Sequence, residues 1–144
     1  MIRQVFGSNN KYCHQSIFVL FSSIFLLIIP LGYILLYLRE ENILILLISL
    51  GGILSILADY CIIENELINI LDRIVGTILV LSVIQRCYRI NNTKIIIITI
   101  LTIILIKYSR SSQSKGDWVR RHCIWHLGCI IFLLYCFNML NNVK

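Results

Sequence analysis

A chain of 144 residues that is 58% hydrophobic, with a mean hydropathy of +0.86, is too apolar for a water-soluble domain and long enough for several membrane spans. Its formal net charge of +6 sits in short segments between apolar stretches, where basic residues set topology, so the expected partner is a membrane and not nucleic acid. The six cysteines, Cys13, Cys61, Cys87, Cys123, Cys129 and Cys136, show no CxxC spacing and lie mostly in or beside apolar runs. They read as reduced, small apolar residues and not as a disulfide framework.

In chain order, a polar leader over 1–15 carries Arg3, Lys11 and His14 and gives way to an apolar run over 16–38. With Pro30 inside and no small-residue cleavage site, this run predicts a first membrane helix that is retained, not a signal peptide. Arg39, Glu40, Glu41 and Asn42 make a polar turn before a second span over 43–60. There Ser49, Gly51, Gly52 and Ser55 offer a small-residue face suited to close packing inside a bundle. An acidic connection with Glu64 and Glu66 leads to a third span over 67–85, which carries Asp72 and Arg73 in its first two turns. A basic segment precedes a compact fourth span over 94–108. The stretch 107–121, rich in serine and lysine, predicts a flexible loop, and Trp118 near its end suits a membrane interface. A fifth span covers 122–140. The predicted fold class is all-α, a multi-pass transmembrane helix bundle of about five spans forming a single integral membrane domain over 1–144. No internal repeat, phosphate-cradling glycine loop or hydrolase nucleophile elbow is present.

The chemistry-bearing residues sit at the ends of these spans. His122 and His126, four apart, project within about 40° of one another on a helix and offer two ligands to one metal ion. Imidazoles in a membrane helix point into the protein, because a lipid-facing one is costly. Ser55 and Asp59 are also four apart, and Asp72 is an intramembrane carboxylate, a functional candidate by that fact alone. Five spans place the end of the second, the start of the third and the start of the fifth on the same membrane face as the N-terminus. Ser55, Asp59, Asp72, His122 and His126 can therefore converge; one helix more or fewer between Asp72 and His122 would separate them by a ~30 Å core. Seven basic residues (Arg3, Lys11, Lys107, Arg110, Lys115, Arg120, Arg121) lie on the site side against five (Arg39, Arg86, Arg89, Lys94, Lys144) on the other, which favours a cytoplasmic site face.

The order Ser55, Asp72, then His122-Cys123-Ile124-Trp125-His126-Leu127 resembles a membrane hydrolase superfamily. It joins alkaline ceramidases, progestin and adipoQ receptors, Per1-like glycolipid-remodelling proteins and myomaker-like proteins. The His-x-x-Trp-His-Leu wording is most similar to the ceramidase and Per1-like branches, and Gly76-Thr77 after Asp72 is similar to several members. The likeness covers 51–77 and 118–134. It implies a shortened version of a seven-span hydrolase bundle and an intramembrane Zn²⁺ site, with hydrolysis of a ceramide-like lipid amide in an intracellular membrane. His122, His126 and Asp59 would hold the metal, Asp72 would orient or deprotonate a water, and Ser55 would hydrogen-bond that water or the oxyanion. The chain departs from the pattern at Asp59, where the family carries a histidine, and Cys61 is a second possible ligand. Two histidines and a carboxylate make an ordinary zinc set, although the added negative charge makes a bound water less acidic. The same residues also admit a non-catalytic lipid-binding relative, a small structural membrane protein with interfacial histidines, or, less economically, a haem protein with His14 as the other axial ligand.

Overall fold

Inside hydrocarbon every backbone N–H and C=O must be satisfied within its own segment, so long apolar runs fold as helices. The structure, a computed structural model, describes residues 16–59, 66–90 and 92–142, and among these residues there is no strand. It contains helices α1 (Ile17–Tyr37), α2 (Asn42–Asp59), α3 (Glu66–Tyr88), α4 (Asn92–Arg110) and α5 (Lys115–Asn141). Four of them, α1, α2, α3 from Leu67 onward and α5, are long and apolar enough to cross a membrane. α4 carries an uncharged run over 95–106 between Lys94 and Lys107. The outward-facing side chains include Phe18, Phe21, Phe25, Leu46, Ile97 and Ile131, a surface that hydrocarbon covers at no cost. These are the properties of an all-α, multi-pass membrane bundle.

Each helix packs on its chain neighbour, and α5 returns to lie against α1, closing a ring; α5 also touches α3 across it. The ring is chemically polarised along its axis. One half is a dry apolar core of Ile34, Leu38, Leu44, Ile48, Val83 and Phe137, with their neighbours. It gathers the end of α1, the start of α2, the end of α3, the start of α4 and the end of α5. The opposite half holds the start of α1, the end of α2, the start of α3, the end of α4 and the start of α5, and there the polar side chains collect. The alternation expected for five spans is therefore present, and it places Asp59, Asp72, His122 and His126 at one end.

Two expectations are corrected. The small-residue face of α2 does allow a close approach, since a Cβ on Gly52 would stand 2.7 Å from Leu27 Cβ and 3.1 Å from Leu27 Cα on α1. Yet α2 is not interior: Ile43, Leu46, Leu50 and Ile53 face outward, while α3 and α5 each pack on three other helices. The flexible loop expected over 107–121 shrinks to 111–114, because α4 continues to Arg110 and α5 begins at Lys115. Ser114 caps α5 by accepting a hydrogen bond from the Asp117 amide at 3.2 Å, and the Asp117 carboxylate accepts one from the Gln113 amide at 3.3 Å. This reciprocal arrangement satisfies amides that would otherwise be left open at the helix start. Arg121 then bridges back, pairing with Asp117 at 2.8 Å, donating to the Tyr108 carbonyl at 3.3 Å and stacking over the Tyr108 ring. With 27 residues α5 is about 40 Å long, more than a ~30 Å hydrocarbon layer requires.

Candidate metal centre

Asp59 is the last residue of α2, and His122 and His126 lie on successive turns of α5. Their ligand atoms, one from each residue, all fall within 4.8 Å of one another, a group that could hold a metal ion. Asp59 Oδ2 is the focus. It stands 3.0 Å from His122 Nε2 and 3.2 Å from His126 Nε2, and it accepts a hydrogen bond from Ser55 Oγ at 2.7 Å. The side chain of His126 is 1% exposed, and those of His122 and Asp59 are 13% and 15% exposed.

Whether these residues fit a cation can be tested on the cluster itself. A carboxylate oxygen offers about two lone-pair positions, and Ser55 takes one. His126 Nε2 is aligned for the second. His122 Nε2 is then left buried with no hydrogen-bond partner among the described residues, although it stands 3.0 Å from the same oxygen, out of line for an N–H···O contact. As a pure hydrogen-bonded cluster the arrangement strands one imidazole nitrogen, which is costly in a low-dielectric interior. A cation accepts all three lone pairs at once. Tetrahedral zinc with bonds of ~2.0–2.1 Å sets neighbouring ligand atoms about 3.3 Å apart, close to the two oxygen–nitrogen separations seen here. The donor set fits.

The other expected site residues are placed as follows. Ser55 is buried and spends its proton on Asp59, so it orients the carboxylate and is not presented as a free oxyanion donor. Asp72, in the second turn of α3, lies within Coulombic reach of Asp59 and His122 but is not one of the three clustered ligands. Cys61, the alternative third ligand, and His14 lie outside the described residues. Trp118 is buried within the protein and stacks on His122 with ring centroids 4.6 Å apart and planes at 17°.

Two serines complete the centre. Ser22 on α1 places Oγ 2.8 Å from His126 Nδ1, and Ser109 near the end of α4 places Oγ 3.3 Å from His122 Nδ1. Each imidazole thus has a hydroxyl on Nδ1 and Asp59 beyond Nε2, the pattern in which metal-binding histidines are ordinarily held. Nothing in the local sequence distinguishes Ser22 from Ser23, or Ser109 from Ser111 and Ser112; Ser23, Ser111 and Ser112 donate to nearby carbonyls of their own chain segment, and Ser111 also accepts from Arg121. Compared with protein-family models, curated proteins and solved structures, the chain matches none.

Proposed function

We propose that this chain is an intramembrane zinc-dependent hydrolase that cleaves a lipid amide, related to the alkaline ceramidase branch of the superfamily its motifs resemble. The observation that carries the proposal is the convergence of Asp59, His122 and His126 on one point, with the Asp72 carboxylate within Coulombic reach of it. Zinc rather than a harder cation is favoured by two imidazoles and a single carboxylate whose two oxygen–nitrogen separations suit a tetrahedral ion. When bound, the metal polarises a carbonyl and lowers the pKa of a water. The chain's own residues supply the rest. Ser55 holds Asp59 by its 2.7 Å hydrogen bond, so the carboxylate keeps one orientation toward the histidines. Asp72 takes the proton of the attacking water at its carboxylate and returns it to the leaving amine. A site at one end of a membrane bundle suits a substrate that enters sideways from the bilayer, and on this reading the basic residues counted on the site side favour a cytoplasmic site face, in an intracellular membrane.

The test is turnover of a ceramide-like amide by protein purified in detergent with zinc. Asp72→Asn is expected to retain the metal and lose ~10²–10⁴-fold in rate, the usual worth of a general base. Equal rates for Asp72→Asn and wild type would remove Asp72 from the mechanism, and no turnover by a zinc-loaded wild type would remove the hydrolase. A second reading, a non-catalytic lipid-binding relative, is favoured by Asp59 standing where the superfamily carries histidine. Activity gained only in Asp59→His would establish that second reading.

A further inference from the structure

We propose that Ser22 is a positioning residue of the metal centre, acting through His126: its oxygen takes the Nδ1 proton of that ring and leaves the Nε2 lone pair aimed at the point beside Asp59 where a cation sits. This rests on the reading of Asp59, His122 and His126 as a metal centre. Ser22 Oγ donates its only proton to the Val19 carbonyl at 2.9 Å, within its own helix. With its proton on that carbonyl, the oxygen is placed to accept from His126 Nδ1, 2.8 Å away and 104 residues distant in the chain. A neutral imidazole carries one ring proton, so placing it on Nδ1 leaves Nε2 as a lone pair.

That lone pair faces Asp59 Oδ2 at 3.2 Å. Two electron-rich atoms at this distance repel unless something positive stands between them. The relay from His126 Nδ1–H to Ser22 Oγ, and from Ser22 Oγ–H to Val19 O, is therefore the proton arrangement that suits a bound cation. His126 is 1% exposed, so no bulk water competes for either ring nitrogen. The second histidine also has a serine oxygen at Nδ1, Ser109 Oγ at 3.3 Å. Ser23 supplies an internal control. It makes the same bond to Val19 O, at 3.0 Å, and is fully buried, and among the described residues this is its only side-chain hydrogen bond.

The experiment is zinc affinity of the full chain in detergent, measured by competition with a chromophoric chelator, alongside thermal unfolding of the metal-free protein. Ser22→Ala is expected to bind zinc 10–100-fold more weakly, the usual effect of removing an outer-shell partner, while Ser23→Ala stays close to wild type. Metal-free Ser22→Ala and Ser23→Ala should unfold alike, which separates an effect on the metal from a loss of packing. Should Ser22→Ala fail to fold, Ser22→Thr and Ser22→Val, equal in shape and differing in the hydroxyl, carry the same test: threonine restores affinity and valine does not. Equal affinities for Ser22→Ala and Ser23→Ala, or for the threonine and valine variants, would overturn the role of Ser22 and leave the metal centre standing. A wild type that binds no zinc would overturn both.

Discussion

Asp59 gathers the centre, because one of its oxygens is within 3.2 Å of three polar side-chain atoms from three residues. A neutral amide at this position is a poor ligand, whereas an imidazole is a good one. Asp59→Asn is therefore expected to lose zinc and Asp59→His to keep it, both measured as bound metal after size-exclusion in detergent. Retention of metal by Asp59→Asn would move the third ligand elsewhere, with Cys61 the first alternative. The histidines and Asp59 could be read from sequence because a charged or ring-nitrogen residue inside an apolar run has few inert explanations, and spacing by four puts pairs on one face. Ser22 and Ser109 could not. A serine in a membrane helix ordinarily bonds its own preceding turn, as Ser23 does, and only the packing of α1 and α4 against α5 distinguishes the two that reach a histidine.

At the level of elements, the approach of α1 to α2 and the start of α5 position the site. Gly52 faces the Leu27 backbone, whereas a Cβ on Gly51 would meet only Val75 Cγ1 at an ordinary 3.5 Å. Gly52→Ala is expected to destabilise the bundle by about 1–3 kcal/mol, the usual cost of overpacking, and Gly51→Ala to be tolerated. Unfolding by a denaturing detergent measures both, and equal effects would contradict the close approach. Ser114→Ala should cost about 0.5–2 kcal/mol and speed hydrogen exchange at the first amides of α5, including that of Asp117, the one its side chain bonds. The signal for that helix start was present as Ser114-x-x-Asp117, a capping pattern. It was obscured by the surrounding serine and lysine, whose composition is that of a loop, while the ion pair from Arg121 to Asp117 that tightens the turn depends on helix geometry.

For the whole molecule, what matters is the separation of a dry half from a polar half. The apolar core at one end supplies cohesion, so the other end can carry a carboxylate, two histidines and an unpaired ring nitrogen. Five antiparallel helices put the turn at 39–41 and the turn at 111–114 on opposite faces. Glu40→Cys and Ser112→Cys should accordingly be labelled by a membrane-impermeant maleimide from opposite sides of sealed vesicles, and labelling of both from one side would contradict the topology. The alternation was legible from hydropathy, since apolar runs separated by short polar turns admit little else. Which helix lies innermost was not, because α5 carries Arg120, Arg121 and Asn138 and is less apolar than α2, yet a larger share of it is buried in the bundle. The central claim, that the three ligands hold a metal, is tested most directly by the zinc content per chain of wild type and of the His122→Ala/His126→Ala double variant. Both should be purified in detergent without chelators and measured by inductively coupled plasma mass spectrometry. The account predicts one zinc per wild-type chain and none in the variant; a metal-free wild type, or equal zinc in both, would contradict it.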